Sequence, residues 1–159
     1  MIIPDALQEP ALWKYALESP PADWYRSNFE AKGWKDGVSG FGTPETPGSR
    51  VGTLWDNSDI WLRRTFVLRQ EEIKGLKLEV HHDEDAEIYL NGVLAARLGG
   101  FISGYDVFEI SSEAAATLRA GTNTLAAHCH QTGGGQYIDV GLVAPQVPVP
   151  EPAAQRTRE

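Results

Sequence analysis

Three short stretches of the chain gather side chains able to bind metals, move protons or accept hydroxyl groups. They are the run His81-His82-Asp83-Glu84-Asp85, the pair His128 and His130, and the segment GGGQYIDV that begins at Gly133. Imidazoles and carboxylates are competent metal ligands where they converge, so His81, Asp83, His128 and His130 form the candidate metal set. The acids Asp83, Glu84, Asp85 and Glu87 fall in a connection between predicted strands, where carboxylates and carbonyls can surround calcium. EF-hand spacing is absent, and an acid run of this kind is more often a solvated turn, so any calcium here is expected to be structural. No other cofactor is expected. Glycoside hydrolysis needs two acids about 5 to 10 Å apart across a cleft, and nothing in the spacing defines such a pair. The serines Ser39, Ser103, Ser111 and Ser112 lie in Gly-rich or capping contexts without a Gly-x-Ser-x-Gly motif. No Lys-Ser or Lys-Thr follows Gly133 to Gly135, which removes the phosphate-loop reading and leaves a rim loop. No catalytic residue is assigned.

Sugar recognition asks for different chemistry: an aromatic face against the C–H side of a ring, with planar polar groups to bond its hydroxyls. Trp55, Phe101, Tyr105 and Tyr137 fall in or beside predicted loops, near Asn57, Asp59, Arg97, Gln131 and Gln136. From these, Trp55, Tyr105, Gln131, Gln136 and Tyr137 form the candidate carbohydrate site. Trp34, in WKDGVSGFG, also adjoins a Gly-rich loop. The competing reading places Trp24, Trp34, Trp61 and Phe66 in the core, and an aromatic patch becomes informative only once burial is known.

These residues need elements to hold them, and the patterns are those of β-strands. In LKLEVHH, Leu76, Leu78 and Val80 alternate with Lys77, Glu79 and His81, so one set is buried and the other shown. His82 falls on the apolar face and is expected to be a satisfied core histidine. Ala86, Ile88 and Leu90 share a face, and Asn91-Gly92 supplies the positive φ angles of a type I′ turn into VLAARL. Further strands are WLRRTFVL from Trp61, YDVFEI from Tyr105, NTLAAHCH from Asn123 and YIDVGLV from Tyr137. His128 and His130 oppose Leu125, Ala127 and Cys129. They can meet His81 if their strands are neighbours. SSEAAATLRAG predicts one short helical turn capped by Ser111 or Ser112. The first 59 residues, rich in Pro and Gly without sustained periodicity, predict irregular chain with one or two strands.

Composition agrees with one folded domain: 159 residues, 42% hydrophobic and 23% charged. Lys and Arg number 14 against 22 Asp and Glu, and the net charge of −8 argues against nucleic acid or an anionic membrane as partner. Cys129 is the single cysteine, so no intrachain disulfide forms. The start, MIIPDALQEP, has no signal-peptide pattern. Residues 144–159 carry four of the ten prolines and read as a stiff linker, leaving residues 1–143 as the domain. A linker there implies a larger modular protein.

WLRRTFVL, LKLEVHHDEDAEIYLNGVLAARLGG, YDVFEI and LRAGTNTLAAHCH, in this order and spacing, resemble the sugar-binding domain of family 2 glycoside hydrolases. That family has an aromatic-Arg-Arg-Thr-Phe strand, then a strand ending near an Asp. An Ala-x-(Val/Ile)-(Tyr/Trp)-Leu-Asn-Gly strand and a Gly-x-Asn-x-Leu strand follow. Residues 61–66, 76–83, 86–92 and 121–126 match these in turn. The resemblance implies an all-β, galactose-binding-domain-like jelly roll: a β-sandwich of two antiparallel sheets. It implies a noncatalytic carbohydrate-binding accessory module of a modular glycoside hydrolase, whose catalytic carboxylates lie on a barrel outside this chain. Its partners would be a polysaccharide or oligosaccharide and a catalytic domain of the same or a parent protein, in an extracellular or periplasmic setting. The alternative is a structural sandwich that docks on a catalytic domain without binding sugar, burying a face with Lys77, Glu79, His81, His128 and His130. A metal-dependent jelly-roll enzyme is the third reading. HHDED, HCHQ and GGGQYIDVGL depart from the family pattern.

Overall fold

The computed structural model describes residues 2–145, so most of the proline-rich tail lies outside the described residues. Eleven strands within that range form two sheets. The first 59 residues supply four short strands rather than one or two: β1 (Leu12–Ala16), β2 (Lys35–Val38), β3 (Phe41–Gly42) and β4 (Thr53–Leu54). Frequent Pro and Gly keep each brief. The remaining strands fall where the patterns predict: β5 (Asp59–Leu68), β6 (Lys77–Asp83), β7 (Asp85–Leu90), β8 (Val93–Leu98), β9 (Asp106–Phe108), β10 (Gly121–His130) and β11 (Tyr137–Val143). However, His81, expected on the shown face of β6, is 0% exposed, and β11 is buried on both faces. One sheet has the order β2-β1-β5-β10-β7-β8 and the other β4-β3-β11-β6-β9. All pairings are antiparallel except β3 with β4, which run parallel. The helical turn α1 (Ser112–Ala115) begins at Ser111, whose side chain accepts from the Ala114 N–H. Among the described residues no helix is long and apolar enough to cross a membrane.

The core lies between the sheets. Ile60, Leu62, Phe66 and Leu68 of β5, Leu125, Ala127 and Cys129 of β10, and Ala86, Ile88 and Leu90 of β7 face Leu78 and Val80 of β6 and Ile138, Val140 and Leu142 of β11. A fully buried side chain of this size contributes about 1.5–3 kcal/mol relative to exposure, so the alternation selects this packing over its inverse. The β7–β8 hairpin turns at Asn91 (φ 47°) and Gly92 (φ 82°), with Leu90 paired to Val93. The Asn91 side chain then crosses to β10, accepting from the Thr124 N–H at 2.8 Å and donating to Asn123 Oδ1 at 2.8 Å. The two motifs of the family resemblance, Leu-Asn-Gly and Gly-x-Asn-x-Leu, thus lock onto each other.

A second apolar cluster covers the outer face of the six-stranded sheet. Trp24 packs there with Trp61 and Ala126, joined by Phe29, Trp34, Tyr25 and Tyr89. The segment carrying Trp24 and Phe29 runs between β1 and β2 and is held down by Arg63. That guanidinium is 7% exposed and donates to the carbonyls of Trp24 at 2.6 Å, Arg26 at 2.9 Å and Phe29 at 3.3 Å.

Candidate functional site

The two sheets separate the candidate metal set. His81 and Asp83 stand on β6 and the other two histidines on β10, in different sheets. The expectation that they meet is corrected accordingly, and so is the idea of one face bearing Lys77, Glu79, His81, His128 and His130. His128 and His130 instead share one acceptor: Asp59 Oδ1 lies 2.7 Å from His128 Nε2 and 2.9 Å from His130 Nδ1. Burial pushes the Asp59 carboxyl up, but the hydrogen bonds of His128 and His130, the charge of His130 and a Ser58 hydrogen bond together hold it below its ordinary value. The His128 ring stacks on Trp61 with centroids 4.7 Å apart. His82 is a core histidine as expected, its Nδ1 within 2.8 Å of the Glu84 carbonyl and 3.1 Å of the Gly100 carbonyl.

Of the five candidate sugar-contacting residues, three are buried. Trp55 has 0% exposure and donates its indole N–H to the Asp59 carbonyl at 3.0 Å, so its ring closes the core and offers no stacking face. Tyr137 is likewise fully buried; its hydroxyl donates to the Arg50 carbonyl at 2.9 Å, and its ring lies 4.6 Å from that of His81. Gln136 is spent on internal bonds, its backbone N–H to Thr46 Oγ1 at 2.7 Å and its side-chain amide to the Asn57 carbonyl at 2.5 Å. Tyr105 is half-buried and donates its hydroxyl to Asp139 Oδ2 at 2.5 Å. Gln131 bonds the Gly134 carbonyl at 3.0 Å within its own loop. Strand alternation places Tyr137 at the start of β11 but does not reveal that β3 pairs beside it and that Arg50, between β3 and β4, takes its hydroxyl.

A groove that fits the chemistry lies elsewhere, where β1 and β2 meet the segment between them. Its volume is about 460 Å³, and Tyr15 and Trp34 are its aromatic lining residues, Tyr15 packing its ring on Phe41 and Trp34 joining the outer cluster. Glu18, Lys32, Lys35 and Asn57 line it as polar groups. Register creates part of this: Tyr15 of β1 pairs with Lys35 of β2. Phe29, held through its carbonyl by Arg63, meets Trp34 edge-on at 5.8 Å and sets the indole. Among the described residues Lys32 pairs with Glu30 alone, at 3.1 Å on the solvent-exposed surface, a weak pairing that a ligand can displace. Trp34 and Asn57 were visible in the sequence as polar or aromatic loop residues; Tyr15, Glu18 and the two lysines were not, because only the β1–β2 pairing brings them together.

No family model and no curated protein matches the chain. Solved structures do. A family 2 glycosyl hydrolase from Bacteroides cellulosilyticus aligns at 16% identity and TM-score 0.57, over 84% of this chain and 20% of that one. A β-glycosidase from Bacteroides vulgatus aligns at 18% identity and TM-score 0.55, over 86% and 20%. A β-glucuronidase from Bacteroides uniformis aligns at 21% identity and TM-score 0.54, over 84% and 18%. The chain thus spans about a fifth of the length of these proteins and shares the β-sandwich fold of a part of them.

Proposed function

We propose that the chain is a noncatalytic accessory module of a glycoside hydrolase and holds carbohydrate in the Tyr15–Trp34 groove. The fold likeness to family 2 structures supports the first half of this reading. The observation that carries the second half is the groove itself, whose lining includes two aromatic and four polar or charged residues around a volume within the roughly 300–1,000 Å³ typical of ligand sites. Tethering an enzyme to its glycan raises local concentration without any bond-breaking chemistry in the module.

Affinity electrophoresis through gels containing neutral and acidic polysaccharides tests it. The isolated chain is expected to be retarded by at least one glycan. Trp34→Ala and Lys35→Ala should each weaken that retardation by about 1 kcal/mol or more, with the circular dichroism spectrum unchanged. Lys35 is exposed, so its variant keeps the test sound should Trp34→Ala perturb packing. Absence of retardation on every glycan hands the role to domain docking.

A further inference from the structure

A second concavity, sharing no lining residue with the groove, opens at the end of the five-stranded sheet. Its volume is about 250 Å³, and its walls are Pro47, Phe101, Ser103 and Gly133 to Gly135, with Asp83 and Glu84 as the acidic component. Four features set its chemistry. First, Asp83 is 5% exposed and its Oδ1 is buried without a hydrogen-bond partner, an expensive arrangement for a carboxylate. Second, neither Lys nor Arg lines the cleft, and among the described residues neither Asp83 nor Glu84 forms an ion pair. Third, Phe101 is 63% exposed although its backbone is bridged to Asp83, which leaves an aromatic ring unburied beside the acid. Fourth, Gly135 packs on the acid: a Cβ there would come within 2.5 Å of Asp83 Oδ2, so any larger residue would push that carboxylate aside.

We propose that this cleft binds an organic cation, a guanidinium or primary ammonium group, seated between the Asp83 carboxylate and the Phe101 ring. A cation supplies the charge that two adjacent carboxylates need, and an aromatic face adds its quadrupole attraction. Calcium is the competing occupant, but it takes six to eight oxygen ligands, whereas much of this wall is phenyl ring, proline and glycine. Burial, and then the charge of Glu84, raise the Asp83 pKa, the behaviour of a carboxylate short of a counter-ion. The size of the cleft suits one such group and not an extended ligand. An arginine or lysine side chain of a neighbouring domain and a free amino sugar carry the same chemistry.

Amide-resolved NMR titration of the whole chain distinguishes these. N-acetylarginine amide and glucosamine are each titrated against glucose and calcium chloride as controls. Either cation is expected to shift the amides of Phe101, Ser103 and Gly133 to Gly135. Asp83→Asn should weaken binding about tenfold or more and Phe101→Ala about threefold, with thermal midpoints recorded for both. Tighter binding of the arginine amide assigns the site to a protein partner, and tighter binding of glucosamine assigns it to a glycan; both uphold a cation site. Equal response to glucose, saturation by calcium that displaces the organic cations, or silence toward both cations overturns it. None of these outcomes bears on sugar binding in the Tyr15–Trp34 groove, which is read from separate amides.

Discussion

Asp139 shows how much of this protein's chemistry is structural. It is 2% exposed on β11, accepts from the Ala6 N–H at 2.6 Å and the Tyr105 hydroxyl at 2.5 Å, and is faced by Asp5 and Tyr137 as well. Burial is the dominant influence and pushes its carboxyl from 3.8 up to about 6. A carboxyl raised in the native state holds a proton that the unfolded chain has already released. Its contribution to stability is therefore present at low pH and is lost as pH climbs through the folded value, by about 3 kcal/mol for this displacement. Asp139→Asn keeps an acceptor for both donors and removes the titration. Urea unfolding should find the variant gaining about 2.5 kcal/mol on wild type between pH 4 and pH 8; a pH-independent difference contradicts the assignment. Asp59 works with the opposite sign, since its lowered carboxyl stabilises the fold above the unfolded value and loses that contribution on acidification. Cys129 is silent by comparison: it is fully buried, and burial pushes its thiol well above the usual range.

Among elements, the segment between β1 and β2 has the least regular structure and the most influence on the groove. It has no strand or helix of its own, and its fixed points are three carbonyls bonded to Arg63 and the aromatic contacts of Trp24 and Phe29. The Arg63 guanidinium also lies 5.3 Å over the Phe29 ring. Removing it leaves those carbonyls without their donor and releases the segment. Arg63→Ala should lower stability by about 3 kcal/mol, at the level of a buried charged hydrogen-bond network, and weaken glycan retention together with it. Arg63→Lys keeps the charge but gathers its donors on a single nitrogen without the guanidinium fork that spans the three carbonyls, so partial recovery of both properties is expected. Unfolding curves and affinity gels on the same two variants check this; loss of stability with unchanged glycan retention separates the segment from the groove. The Asn91–Asn123 lock is the other element-scale device. Asn123 is 1% exposed and accepts from Asn91 while bonding the backbone of residues 119 and 121, so the motif pair that marks the family likeness is a folding feature rather than a binding one.

At the scale of the molecule, residues from both sheets contribute to one apolar interior, and the Trp24–Trp61 cluster lies against its outer side. A shared core predicts one cooperative transition: far-ultraviolet circular dichroism and tryptophan fluorescence should give coincident urea unfolding curves, and separated midpoints would show that the outer cluster melts on its own. The sandwich itself was legible in the alternation of residues such as Leu76-Leu78-Val80 and Ala86-Ile88-Leu90, because a period of two is imposed by local backbone geometry. So were the Asn91-Gly92 turn, a serine cap at Ser111 or Ser112, which the structure gives to Ser111, and the core placement of His82. Residue order alone thus marks the seven strands β5 to β11 and their core-facing residues, but not the four short strands of the first 59 residues or the burial of His81 on the second face of β6. The tertiary structure decided which strand lies beside which, and with it every convergence of side chains. It parted His81 from His128 by placing β6 and β10 in different sheets, buried Trp55 in the core and Tyr137 against Arg50, and joined Tyr15 to Lys35 across the β1–β2 pair. Alternation is a property of neighbouring residues, whereas a site is a meeting of distant ones, and only the closing of the two sheets over a common core fixes where those meetings fall.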